Sequence, residues 1–136
     1  MHRHNLVVHE SDLPRGQGWS PMTWHILDGD SCIPICLFEA VADLDAGPIN
    51  LQSSINLNGT EPVEECRQYQ AEATISLCLQ WVDRYRELID TAHPQIEEAS
   101  NYRRCRPADS LLDPERTLVD NLTCLGWLIT IATQLF

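Results

Sequence analysis

The chain has 136 residues, with 20 acidic against 9 basic side chains and a formal charge of −11. That length fits one domain, and an apolar fraction of 43% rules out disorder throughout. The acidic surplus argues against a broad nucleic-acid surface, which needs a positive footprint; the one dense basic run is Arg103-Arg104-Cys105-Arg106.

In chain order, Leu6 to Val8 reads as a short buried strand ending at the polar His9, and His9 to Ser20 as a loop carrying Pro14, Gly16 and Gly18. Pro21 to Leu27 is predicted to be a helix. Ser20 is its expected cap, and Pro21 sits at the first helical position, where no backbone donor is needed. Asp28-Gly29-Asp30 ends it. Ile33 to Phe38 is a second apolar strand, able to hold Pro34 only near its start or at an edge. Asp43 to Gly47 forms a turn and Ile49 to Ile55 a third strand.

From Thr60 the apolar period lengthens. Thr60 is the expected cap of a long helix, with Glu61, Glu64 and Glu65 where the helix dipole favours anions. Ala71, Ile75, Cys78, Val82, Tyr85 and Ile89 recur at three and four residues, the pattern of a face lying on a sheet, and His93-Pro94 stops the run. Residues 94–116 are polar, with a turn expected at Leu112-Asp113-Pro114; Leu125 to Phe136 is apolar but, at 12 residues, too short to cross a bilayer.

Cysteines stand at positions 32, 36, 66, 78, 105 and 124, with no C-x-x-C pair and no histidine at finger spacing. Free thiols in a reducing compartment and no metal centre are therefore expected. Met1-His2-Arg3-His4 leads directly into the first strand with no apolar signal segment, so the expected location is cytoplasmic. Without a secretory route, the glycosylation pattern Asn121-Leu122-Thr123 carries no weight. Trp19, Trp24 and Trp81 read as packing residues, and His25 and His93 as exposed and inert.

Two short segments carry chemistry. His9 lies at the mouth of a strand, and Asp45 in a glycine turn 36 residues later; an imidazole and a carboxylate so placed can meet at the carboxyl edge of a parallel sheet. The run from His9 through Glu10-Ser11-Asp12-Leu13-Pro14 to Gly18, followed by Ser20-Pro21, resembles the H-x-S-x-L-P-x-x-x-G signature of formyltransferases that use 10-formyltetrahydrofolate. Leu44-Asp45-Ala46-Gly47-Pro48-Ile49 resembles the family's D-[AS]-G-x-I signature at the separation expected of it. The likeness continues through Asn58-Gly59-Thr60-Glu61 to Arg103-Arg104, Pro107-Ala108-Asp109-Ser110 and Leu112-Asp113-Pro114, and so covers roughly residues 5 to 120.

The resemblance implies an α/β fold: an incomplete, Rossmann-type parallel sheet fragment under a long covering helix. It implies 10-formyltetrahydrofolate as donor and His9, Asp45 and an asparagine as the reacting constellation. Imidazole titrates near neutrality, so His9 suits proton transfer or donation to an oxyanion, with Asp45 orienting it or taking the proton through water. The family's N-x-H pattern would put the asparagine at position 7, where this chain has valine; Asn5 is the available substitute, brought forward only by a bulge. The backbone around Val41, Asp43 and Leu44 is implied to face the pterin, and Ser11 to contact substrate or cap. Gln17 stands where many members have a basic residue.

The likeness starts near the middle of the family's catalytic domain. Residues 1–92 read as the carboxyl half of that domain, 93–120 as its extended tail and 121–136 as a frame-shifted, non-native tail. Back-translating Leu128 to Phe136 and shifting the frame yields Asp-Asn-Asp-Arg-Tyr-Pro-Ala-Phe, close to the polar run the family carries there. The parent activity is expected to be formylation of a primary amine, with an amino-sugar nucleotide preferred to methionyl-tRNA on account of the charge. The chain alone is expected to be inactive. A non-catalytic alternative is a fragment that pairs through its exposed sheet edge with itself or with a separate amino-terminal half, since an open edge templates association. No membrane partner is expected.

Overall fold

The computed structural model describes residues 3–111 and 113–115. The expected frame-shifted tail, 121–136, lies outside the described residues. Three strands form the main sheet: β1 (Leu6–His9), β3 (Cys32–Glu39) and β4 (Ile49–Asn56), in the order β1-β3-β4. Between β1 and β3 come the two-residue β2 (Gln17–Gly18) and helix α1 (Pro21–Asp28). After β4 follow α2 (Val63–Asp83), α3 (Tyr85–Thr91), the two-residue β5 (Asn101–Tyr102) and a single 3-10 turn, Pro107–Ser110.

This is the mixed α/β layout expected, with a long helix covering a small sheet. The direction of the strands is different from expectation. β3 runs antiparallel to both β1 and β4, and among the described residues parallel pairing occurs only between β2 and β5. The loop 40–48 joins β3 to β4 directly, and so short a link returns the chain antiparallel, whereas a parallel return needs a dozen or more residues. Pro34 lies beyond Cys36, the last β3 residue paired with β1, so β3 is locally an edge where a missing N–H is tolerated.

The sheet buries both faces. Ile33, Ile35, Leu37 and Ile55 point to one side, where Val63, Cys66 and Leu77 of α2 and Met22 and Ile26 of α1 complete the larger core. Leu13, Cys36, Phe38 and Ile49 form a smaller cluster. The alternation of β3 between these sets follows from the two-residue period of a strand.

Two helix starts differ from the sequence reading. Ser20 occupies the cap position of α1 in a left-handed conformation (φ 49°), and its hydroxyl makes no capping bond; its carbonyl accepts the Thr23 N–H at 3.0 Å. Pro21 does open the helix, and Gly29 closes it at φ 83°. Pro62, not Thr60, caps α2, because the Thr60 hydroxyl is turned to Asn58 Oδ1. Glu61 accepts the N–H groups of Asn58, Gly59 and Thr60, which depress its carboxyl pKa against the opposing effect of burial.

The buried face of α2 is also not the one expected. Val63, Cys66 and Leu77 are buried, with Ala73 and Trp81 packed beside them, whereas Ala71 and Cys78 are exposed and Ile75 and Val82 are 58% and 66% exposed. Both sets fit a 3.6-residue period, so periodicity alone does not choose between them. Tyr85 and Ile89 of the expected stripe are half-buried, because the helix breaks at Arg84 and α3 starts afresh. Leu77→Ala is expected to cost about 2–5 kcal/mol, as a cavity in a packed core, and Leu79→Ala at 61% exposure no more than about 0.5 kcal/mol. Urea denaturation of the two variants checks the assignment; equal losses would contradict it.

Candidate functional site

β1 ends at His9, which pairs with Cys36 and whose ring meets that of Phe38 edge-on at 6.5 Å between centroids. His9 is buried, and its Nε2 lies 3.0 Å from the Gly16 carbonyl. A carbonyl only accepts, so this bond places a proton on Nε2 and, in the neutral ring, leaves Nδ1 the lone pair. Asp45 Oδ2 is 3.9 Å from the same nitrogen, within ion-pair reach of an imidazolium but too far for a hydrogen bond.

The sequence places Asp45 in the loop 40–48, and the structure shows what brings it to His9. β3 leaves the sheet at the end of β1 remote from His9, since Glu39 pairs with Leu6. The loop then folds back. Asp45 adopts φ 50°, a left-handed turn conformation that Asp tolerates better than most residues. Gly47 passes so close to Glu39 that a Cβ there would lie 1.6 Å from the Glu39 carbonyl oxygen. Gln95 then fastens the loop: its Nε2 donates to the carbonyls of both Asp45 and Gly47 at 2.8 Å. Gln17 Nε2 also reaches the Asp45 carbonyl, at 3.3 Å. Finally, the Gly18 N–H donates to Asp45 Oδ2 at 2.9 Å, fixing the carboxylate itself.

His9 and Asp45 thus converge as expected from their motifs, beside the face that carries Cys36 and Phe38 and not at the carboxyl edge of a parallel sheet. Asn5 does not join them. Pairing of β1 with β3 runs unbroken from Leu6 to His9, with no bulge to draw Asn5 forward, and the one irregularity falls between Leu37 and Phe38 against β4. Asn5 is exposed and sits four residues back, about 13 Å along an extended strand. Its backbone N–H donates to Glu39 Oε1 and its carbonyl accepts from Ala40. Val41, Asp43 and Leu44 lie exposed on the same loop as Asp45, with Leu44 68% exposed. Ser11 is fully buried beneath the loop at Gly16, and its hydroxyl has no partner among the described residues.

Gln95 escaped the sequence reading, because a lone glutamine in a polar stretch carries no periodic or motif signal. Cys36 lies next to His9, and burial pushes its thiol up to about 12, outweighing the opposing Leu13 backbone N–H and disfavouring the thiolate. His25, expected to be exposed and inert, is largely covered and bonds Asp30 Oδ2 through Nδ1 at 2.7 Å. Among the described residues no group of three or more His, Cys, Asp and Glu side chains is arranged to hold a metal, and no helix is long and apolar enough to cross a membrane.

Gln95→Ala removes the donor shared by two carbonyls. It is expected to cost about 1–3 kcal/mol and to speed amide exchange through residues 43–47, read by hydrogen–deuterium exchange. Unchanged exchange in that segment would show that Gln95 does not hold the loop.

Known proteins share this arrangement of chain. A methionyl-tRNA formyltransferase from Nitratidesulfovibrio vulgaris is 31% identical over 114 residues, 83% of this chain and 34% of the relative. A solved methionyl-tRNA formyltransferase from Clostridium thermocellum superposes with a TM-score of 0.70 at 22% identity, over 90% of this chain and 52% of that one. The N-formyltransferase from Helicobacter canadensis, solved with folinic acid and dTDP-3-aminofucose, gives 0.69 at 15% identity, over 94% and 48% of the two chains. No family model matches. The chain spans about a third of the length of the curated relatives it matches, at 34% for the first of them. From the two motifs, the fold that joins them and these likenesses, the chain is part of a domain of the 10-formyltetrahydrofolate-dependent formyltransferase superfamily.

Proposed function

We propose that the protein to which this domain belongs transfers the formyl group of 10-formyltetrahydrofolate to a primary amine. The observation that carries this reading is the meeting of His9 and Asp45 at 3.9 Å from two motifs 36 residues apart. On this reading the pterin of the donor meets the exposed residues Val41, Asp43 and Leu44, which flank Asp45 on the same loop. Folinic acid in the Helicobacter canadensis enzyme supports a folate donor.

The chemistry then follows from the side chains. The amine nitrogen bonds to the formyl carbon, and the carbonyl electron pair moves to oxygen. His9 Nε2–H, exchanging its bond with the Gly16 carbonyl, donates to that oxygen. The proton leaving the amine passes to the Asp45 carboxylate, which lies 3.9 Å from the same His9 nitrogen and gives the proton up again to the leaving folate nitrogen. Collapse reforms the carbonyl and breaks the bond to the folate nitrogen, which takes up a proton.

For the acceptor, the curated relatives support methionyl-tRNA better than the amino-sugar nucleotide that the acidic composition favours. The sugar reading is retained for one observation: the Helicobacter canadensis structure was solved with dTDP-3-aminofucose. In a protein extended to the full domain, His9→Ala and Asp45→Ala are each expected to lower formyl transfer at least about 100-fold with folding unchanged, as lost acid–base catalysis would. Transfer is measured from radiolabelled donor to methionyl-tRNA and to amino-sugar nucleotides. Near-parental turnover by the His9 variant would overturn the mechanism, and transfer to the sugar alone would overturn the tRNA preference.

A further inference from the structure

The basic run at residues 103–106 and the tryptophans of the amino-terminal motif, read separately in sequence, form one surface. The parallel pairing Gln17↔Asn101 and Gly18↔Tyr102 lays the strand before Arg103 beside the strand before Trp19. Trp24 stacks on Tyr102 at 6.2 Å and 9° between planes, and its indole N–H donates to the Arg103 carbonyl at 2.9 Å. The Arg103 guanidinium lies over the Trp24 ring at 4.8 Å and that of Arg104 over Trp19 at 5.3 Å. Trp19 is not a packing residue: it is 57% exposed.

The two arginines are not equivalent. Arg103 is committed to Asp109 through both terminal nitrogens, and that pairing holds the Asp109 carboxyl down at about 2. Asp28 and Asp30 lie on the Tyr102 side, where with burial they raise its phenol pKa. Arg104 forms no ion pair with a described carboxylate, so its charge is available to an incoming anion. Its cover over one part of Trp19 leaves exposed ring for a second planar group. An aromatic face beside an unpaired guanidinium is the pairing that binds a nucleobase and its phosphate together.

We propose that Trp19 and Arg104 bind a nucleotide moiety of the formyl acceptor, the base stacking on the indole and the phosphate meeting the guanidinium. The inference rests on the proposed formyl transfer for its link to the reaction. Trp19 directly follows Gly18, whose N–H holds the Asp45 carboxylate, so a nucleotide seated there is anchored one residue from the reacting pair. Methionyl-tRNA and a sugar nucleotide both carry a nucleotide, and the site chemistry is common to them.

The test is direct binding to the 136-residue chain, followed by calorimetry, with UMP, uridine, inorganic phosphate and a short single-stranded RNA as probes. UMP should bind saturably and more tightly than uridine or phosphate. Trp19→Leu and Arg104→Gln should each weaken UMP about tenfold or more, the size of one lost stacking or charged contact. Both positions are exposed, and Trp19→Leu keeps the backbone N–H bond to the Tyr102 carbonyl, so circular dichroism should be unchanged. RNA binding much tighter than UMP supports the site with a polynucleotide acceptor, and equal binding supports it with a mononucleotide one. Parental UMP affinity in either variant, or no UMP binding by the folded chain, overturns the proposal. UMP binding by the chain together with no formyl transfer by the protein extended to the full domain would overturn only the proposed reaction.

Discussion

The folding back of loop 40–48 is the constraint on which the site depends. β3 hands the chain to β4 at the end of β1 remote from His9, and without the fold-back Asp45 would stay there, about a strand length from His9. The turn demands a residue that tolerates φ 50° at position 45 and one without a side chain at 47, because a Cβ there would lie 1.6 Å from a carbonyl oxygen. These are steric requirements of the backbone. They account for an aspartate at 45 and a glycine at 47 before any catalytic role is considered.

Sequence made the strands legible, since Leu6, Val8 and the run Ile33 to Phe38 leave few alternatives to buried β structure. It also brought His9 and Asp45 together, because two motifs with a fixed separation encode one geometry. It did not disclose how they meet. The antiparallel pairing of β3 with β4 follows from the length of one loop, which periodicity does not report. The choice of face on α2 depended on tertiary packing: Ile75, Leu79 and Val82 form as good an apolar stripe as Val63, Cys66 and Leu77. Asn5 shows the opposite case. The right residue type at a near-correct position is separated from the site by an unbroken strand register that no spacing rule predicts.

Net charge is a blunt guide for a related reason. A formal charge of −11 describes the chain as a whole, whereas recognition depends on the charges within about one Debye length of the ligand. Four of the 20 acidic residues, Glu64, Glu65, Glu72 and Asp83, lie on α2, an element separate from the arginine segment after β5. Composition averaged over these surfaces cannot reveal that Arg103 and Arg104 stand over tryptophans from another part of the chain.

The β2–β5 ladder links the two halves of the site. It is only two residues long on each strand, yet Gln17, Gly18 and Tyr102 each have a second task. Gly18 donates to the Asp45 carboxylate while its neighbour Trp19 bonds the Tyr102 carbonyl through the backbone. A side chain at 18 would collide with that same carbonyl, since its Cβ would lie 2.6 Å from the oxygen. Gly16 supplies the carbonyl that fixes the His9 proton and lies against the Tyr102 ring, where a Cβ would approach to 2.7 Å. The two glycines therefore do more than permit a loop. They let the aromatic strand approach closely enough that the backbone setting the protonation geometry of His9 and Asp45 also carries the tryptophan–arginine surface, so displacement of one is felt by the other.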